Sequence, residues 1–338
     1  MVREEKDSAD EVNTKTLADS YNGANSDKTS STSSDPGEVI YTPPESVASM
    51  SSTKEGDMTS IPQAVQEADA ANISIREYIY FMPYPLPKGT PIPYTVGLPD
   101  KNPLNLPPKP FEPTSTLVLT SPNHTFVDIR FFKPMRPGEE TLLPNRGEIE
   151  RLEWCFAGQS ESHPIVPGVT HSTWMHWLDS RHPVAAPNMP VDEGDMYPID
   201  TDLTLEHGHA FQPLMHAVKT HEEMWRDVST LSTNSTGSKI CVVLRCHADA
   251  AGVRGVIVRV GQFCQGIVMK GEQVTAERWE FDFEGEGKEE TGNWKRIGKV
   301  GDLFLPCAVA FRPEILKQGG RVKYWDFEWV VEDVWEWM

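Results

Sequence analysis

The same series of residue marks runs through this chain twice, and that repetition limits its fold more than any other feature. Residues 117–228 carry Leu-Val-Leu (117–119), Val-Asp-Ile-Arg (127–130), Trp154-x-Phe156, Ser-Thr-Trp (172–174), Gly-Asp-Met-Tyr-Pro (194–198) and Glu-Met-Trp-Arg-Asp-Val (223–228). Residues 242–334 carry Val-Val-Leu (242–244), Val-Ile-Val-Arg (256–259), Trp279-x-Phe281, Gly-Asn-Trp (292–294), Gly-Asp-Leu-Phe-Leu-Pro (301–306), and Glu328-Trp329 through Glu-Asp-Val (332–334). The order is shared, while the offset drifts from 125 at Trp154/Trp279 to 107 at Asp195/Asp302. Loops of unequal length between matched strands give such a drift. Self-similarity on this scale predicts one supersecondary plan used twice.

The plan reads as all-β. Ile73, Ile75, Glu77 and Ile79 alternate, Thr116–Thr120 alternates, and a turn at 121–124 joins it to Thr125–Phe132 in a hairpin. Further short segments follow to residue 335, with Trp279, Phe281 and Phe283 on one face and Arg278, Glu280 and Asp282 on a wet outer face. Helical periodicity is scarce, with short candidates only near 213–220 and 312–317. Antiparallel meanders carrying Trp-x-Phe marks suit two consecutive small β-barrels with apolar interiors, 72–235 and 236–338. Residues 1–71 are rich in Ser, Thr, Asp, Glu and Ala and nearly free of aromatics, so a disordered acidic tail is expected. Eleven prolines between 83 and 113 remove the N–H donors a central strand needs, so 84–113 reads as an extended loop. Within it, Leu106–Pro110 is a candidate ligand for a proline-reading domain, though proline-rich loops are commonly no more than loops.

The charge excludes some functions. The net charge is −19, and residues 1–70 hold five Lys/Arg against fourteen Asp/Glu. An acidic surface repels phosphate backbones, so no nucleic-acid partner is expected. No apolar run is long enough to span a bilayer as a helix, and the first residues lack a secretory h-region. A cytoplasmic protein, present in the nucleus as well, is the expectation. Five cysteines without CxxC spacing then read as core thiols.

No catalytic signature is present. There is no Gly-x-Ser-x-Gly elbow, no phosphate-binding glycine loop and no His-Glu-x-x-His, so neither enzyme activity nor a cofactor is expected. Histidines crowd the first half, and His207-Gly-His209 has a metal-ligand spacing, but a solvated pair is the plainer reading and no metal site is assigned. Trp174 and Trp177 are three apart, so one points in and one out. With Trp154, Trp279 and Phe281 they are candidates either for a filled core or for a pocket holding a small apolar ligand. The segment from Trp174 to Asp195 spans 21 positions against 8 from Trp294 to Asp302. That extra length makes the 180–198 loop, with Arg181, Asp192, Glu193, Asp195 and Tyr197, the candidate partner-binding surface. Ser8, Thr32 and Ser52 each precede an acid by three positions, a weak pattern for acid-directed kinases.

Longer motifs carry a resemblance. They are Thr114–Arg130, Leu152–Gly158, His171–Arg181, Asp192–Pro198 and Glu222–Asp227. In them the chain resembles a fungal family of kinase-interacting proteins, named after binding a casein-kinase-1-type (Hrr) kinase. The resemblance covers about 72–83 and 114–338. It implies two lipocalin-like β-barrels, a cytosolic and nuclear location and no established catalysis, and it supplies no catalytic residues. The tail and the proline loop depart from it. The resulting expectation is a non-enzymatic interaction protein, with a casein-kinase-1-type kinase as candidate partner. The alternative is a carrier of a small apolar ligand.

Overall fold

Period-two alternation in short segments, closed by tight turns, makes nearly every described element a strand. The structure, a computed structural model, describes residues 39–44, 71–81, 112–134, 142–212, 216–284 and 293–338. Eight strands form a closed antiparallel barrel in sequence order: β2 (Asn72–Phe81), β3 (Thr114–Thr120), β4 (Thr125–Phe132), β5 (Leu152–Val166), β6 (Val169–Asp179), β7 (Val191–Pro198), β8 (Leu203–Gln212) and β9 (Ala217–Asp227). β9 returns onto β2 and closes it.

The second sheet also has eight strands, in the order β1-β15-β16-β10-β11-β12-β13-β14. These are β10 (Lys239–Ala248), β11 (Val253–Val260), β12 (Phe263–Lys270), β13 (Gln273–Phe281), β14 (Trp294–Val300), β15 (Arg321–Tyr324), β16 (Phe327–Trp337) and, from the tail, β1 (Val39–Thr42). Its hairpins are tight. Gly261 turns β11 into β12 at φ +50°, and a Cβ there would come 2.7 Å from Leu231 O.

Several expectations change. The second sheet is not closed by strand pairing among the described residues. Between β14 and β15 the chain forms short 3-10 turns at Cys307–Phe311 and Pro313–Ile315, where the run of short strands and a helix at 312–317 were expected. Pro306 and Pro313 lack the N–H groups a ladder strand must donate. The tail is not wholly structureless: Val39–Thr42 pairs with β15, burying Tyr41 against the second core. The proposed loop at 180–198 contains β7. Of the helix expected near 213–220, residues 217–220 belong to β9, and 213–215 lie outside the described residues. The proline loop lies outside them too, up to residue 111. The matched marks also slip. Val127–Arg130 lies on β4, next to Trp154 on β5, whereas Val256–Arg259 lies on β11, with β12 between it and Trp279 on β13.

The largest change concerns which way the barrel faces. In β4, Val127, Ile129 and Phe131 point out of the barrel and pack with Leu117, Leu119, Cys155 and Ala157 against the second sheet. The second sheet meets them with Cys241, Val243, Val256, Val258, Ile267 and Met269. β10 and β11 are buried on both faces, so their sequences read as unbroken apolar runs rather than alternation. Their other face forms a second core with Trp279, Trp294, Phe311 and Trp329, in which Trp294 and Phe311 stack at 4.3 Å. The apolar interior expected of both barrels therefore holds for the second sheet and not for the first barrel.

Polar pins cross the apolar seam. Gln265 Nε2 donates to Leu117 O at 2.8 Å. Arg278, expected on a wet face, is buried there. It donates to Gln265 Oε1, Ser115 Oγ and O, and Ile129 O at 2.7–3.1 Å, and it lies over the Phe131 ring. Cutting it back would strand four acceptors without water. Arg278→Ala is therefore expected to cost on the order of 2–5 kcal/mol in urea unfolding. A cost below about 1 kcal/mol, the worth of an ordinary exposed pair, would contradict this.

Candidate functional site

Turning the apolar face outward leaves the first barrel a polar interior. Phe126, Asp128 and Arg130 of β4 alternate with the seam residues and point inward, where Phe126 packs edge-on against Phe156. Arg76 of β2 bridges two carboxylates, with Nε 2.6 Å from Glu112 Oε2 and Nη1 2.9 Å from Glu223 Oε2. Arg130 Nη2 is 2.8 Å from Asp128 Oδ2, and its guanidinium lies 4.9 Å from the Trp154 ring. Trp225 Nε1 donates to Glu206 Oε2 at 2.9 Å. His221 Nε2 stands 3.5 Å from Glu223 Oε1 and 3.9 Å from Glu206 Oε1. Two glycines make the room. A Cβ at Gly194 would come 2.7 Å from Glu206 Cγ, and one at Gly208 would come 2.8 Å from His221 Cε1.

Burial and charge set the protonation of this cluster. Burial, then the neighbouring Glu223 charge, push the Glu206 carboxyl up to about 8. Burial works to raise Glu223 as well, but the Arg76 and Arg130 charges outweigh it and hold that carboxyl down to about 2. Near neutral pH one carboxyl is therefore protonated and its neighbour ionised. Burial keeps the His221 imidazole neutral, against the pull of Glu223. It works the same way on His176, but the hydrogen bond to Asp179 and the nearby Asp192 overcome it and raise the pKa. His176 Nδ1 is 2.8 Å from Asp179 Oδ2, and its ring stacks on Phe156 at 4.2 Å. Asp128 Oδ1, His176 Nε2 and His221 Nδ1 make no hydrogen bond among the described residues, although Asp192 Oδ2 lies 3.4 Å from His176 Nε2. Chemically the set pairs a neutral acid and a neutral imidazole with an ionised carboxylate, each facing other members.

The sequence candidates fall in three places. Asp192 reaches the rim of the interior at His176. Glu193 and Asp195 share the outer face with His171, whose Nδ1 lies 2.8 Å from Asp195 Oδ1 and whose Nε2 lies 3.7 Å from Glu193 Oε2. Burial, then Asp195, raise the Tyr197 hydroxyl pKa. His163, His171, Asp195 and His207 stand in register across β5 to β8, and the His207 and His209 rings are 5.4 Å apart on one face. No described group of three or more such side chains is placed to hold a metal. Arg181 sits in the turn after β6, stacked 4.1 Å from Trp154 and paired with Glu153.

The tryptophans divide as alternation requires. Trp154 lies between Arg130 and Arg181 and donates to Asp179 Oδ1 at 2.8 Å. Trp174 shares the inner strand parity of His176 and is half-buried. Trp177 points outward into the seam, 4.6 Å from the Arg245 guanidinium and 5.0 Å from that of Arg254. Trp279 and Phe281 belong to the second core. All five cysteines are buried and none is joined in a disulfide.

The sequence alone does not single out the interior titratable groups Arg76, Asp128, Arg130, Glu206, His221 and Glu223. The signal was the polar half of each alternating strand, which reads equally well as a solvated face.

A closed eight-stranded antiparallel barrel fused through one face to a second antiparallel sheet defines an all-β protein whose barrel interior is ionic. The chain matches the family described as Protein HRI1 over residues 98–333, and it belongs to that family. A solved structure of an uncharacterised protein from Saccharomyces cerevisiae, YLR301w, is similar in fold, with a TM-score of 0.52 and 18% identity over 78% of this chain and 99% of that one. No curated protein matches the chain.

The ionic interior gives stability a definite pH dependence. Folding raises the Glu206 pKa from its ordinary 4.5 to about 8. This group's contribution is therefore full below about 4.5 and is lost as pH rises through about 8. Glu206→Gln removes the titration and keeps an acceptor for Trp225. The variant is expected to gain on wild type between pH 5 and pH 8.5 by on the order of 1–3 kcal/mol in urea unfolding. A difference that stays constant across that range would contradict the assignment.

Proposed function

We propose that this protein is a non-enzymatic interaction module that works through the outer face of its first barrel, with a casein-kinase-1-type kinase as candidate partner. What carries the reading is that both interiors are occupied by the chain's own side chains. The first holds ion pairs and aromatic rings, the second stacked tryptophan and phenylalanine. Carboxyls that turn to one another are poorly placed to work on a substrate. The outer faces of β6 to β9 instead offer what partner surfaces use: acids at Glu193 and Asp195, aromatic Tyr197, and exposed apolar pairs at Met175/Val191 and Phe211/Val218. In the same proposal the second sheet is a variant of a lipocalin-like barrel, with 3-10 turns standing where a further strand would close it. The chain would act in the cytoplasm and nucleus. No described helix is long and apolar enough to cross a membrane.

The carrier reading retains one supporting feature. A groove of about 690 Å³ at the end of the second sheet has Cys246, Val253 and Phe327 among its lining, with the ion pairs Arg245–Glu332 and Arg321–Glu328 at its edge. That polar edge and open form suit an apolar ligand less well than an enclosed pocket.

The test is calorimetric titration of the purified chain with a casein-kinase-1-type kinase from its own host. Wild type is expected to bind, and Arg181→Ala/Glu193→Ala/Tyr197→Ala, folded by circular dichroism, to bind at least about tenfold more weakly. Equal affinity of the folded variant would remove this surface, and no binding by wild type would remove this partner.

A further inference from the structure

The edge of β15 is occupied by the chain's own tail in a way that looks like a bound peptide. β1 is four residues long and pairs antiparallel with β15 from Val39↔Tyr324 to Thr42↔Arg321. Of its side chains, Ile40 and Thr42 are exposed, and Tyr41 packs against the second core. Its hydroxyl accepts a hydrogen bond from Lys317 N at 3.1 Å. The receiving notch is built by Gly320, where a Cβ would fall 2.6 Å from Tyr41 Oη and 2.7 Å from Cε2. Lys317–Gly320 does not depend on the tail for its shape. Gly319 N donates to Val331 O and Val331 N donates to Gly320 O, both at 2.8 Å, tying the turn to β16.

We propose that the β15 edge with its Gly320 notch is an exchangeable docking site for an extended acidic peptide that presents a tyrosine, and that Val39–Thr42 is its resident occupant. Three observations support exchange. One anchoring ring and four residue pairs are a small attachment. About thirty residues separate β1 from β2 in the sequence, so the two strands are not joined by a short connection. Lys317 and Lys323 border the site, beside Arg321, which is paired with Glu328, while Asp35, Glu38 and Glu45 flank β1 in the sequence, so the match includes charge. Strand addition to an exposed edge with a pocket for one side chain is a general mode of peptide recognition. Departure of β1 would leave the backbone groups of β15 unpaired, which favours refilling by another strand. This site is separate from the outer face of β6 to β9, and the test of one does not decide the other.

The test uses the full chain and a fluorescent peptide of residues 35–45, read by anisotropy. In wild type the tethered tail competes at high effective concentration, so binding should be weak. Tyr41→Ala in the chain loosens the resident strand, and the peptide should bind at least about tenfold more tightly than to wild type. Adding Gly320→Val, or replacing the peptide's tyrosine by alanine, should abolish that gain. The proposal is overturned if the folded Tyr41→Ala chain does not take up the peptide, or if it takes up the alanine peptide equally well. A Tyr41-dependent dimer of wild type in native mass spectrometry, without peptide uptake by the variant, would also overturn it in favour of strand exchange between copies.

Discussion

The rest of the structure depends on the apolar seam between the outer face of β3, β4 and β5 and the outer face of β10 to β13. β3 and β4 have one apolar and one polar face, and the seam takes the apolar one. The polar half must then point into a closed barrel, where unpaired charge is costly. Arg76 pairs with Glu112 and Glu223 there, Arg130 pairs with Asp128, and Glu206 avoids the cost by remaining protonated. The ionic interior is thus a consequence of how the two sheets join. Burial of each Val, Leu or Ile in the seam is worth roughly 1.5–3 kcal/mol, and each ion pair inside returns little net stability.

Joining also explains how the second sheet manages its edges. The β14 edge is covered by the segment before β5: Lys299 N donates to Pro144 O, Gly301 N donates to Gly147 O, and Asn145 bonds Arg296. The β15 edge is covered by β1. Each cover comes from outside the 236–338 stretch, so that stretch is not a self-sufficient unit. Trp177 adds to the seam from β6, clasped by Arg245 and Arg254, with Arg254 Nη1 bonded to Trp177 O at 2.8 Å.

Much of this was legible in the sequence, and the failures have physical causes. Alternation placed β2, β3 and β4 closely, and the doubled marks at Trp154 and Trp279 fell on strands. Alternation cannot say which face is inside, however, and Phe126-Val-Asp-Ile-Arg130 reads the same with either face turned in. Val-Ile-Val-Arg at 256–259 and Val-Asp-Ile-Arg at 127–130 both lie in the seam, but a strand stands between the first and its Trp-x-Phe mark and none between the second and its own. β1 escaped notice because four residues in a polar tail carry too little pattern, and its cause is the distant notch at Gly320. Among the candidate residues, Glu193, Asp195 and Tyr197 lie on the outer face of β7 and Asp192 at the rim of the interior, on a strand rather than in a loop. The ionic cluster escaped because its members are spread from 76 to 223 and meet only after closure.

Functionally, the fold leaves its reactive groups facing inward and its mixed polar and apolar groups facing out. The proposed interaction role rests on that arrangement. The seam should make one cooperative body of the two sheets. Scanning calorimetry of the full chain tests it directly. One transition, with the van't Hoff and calorimetric enthalpies equal, is the predicted result. Two separate transitions, each of roughly half the total enthalpy, would show that the sheets fold independently and would contradict it.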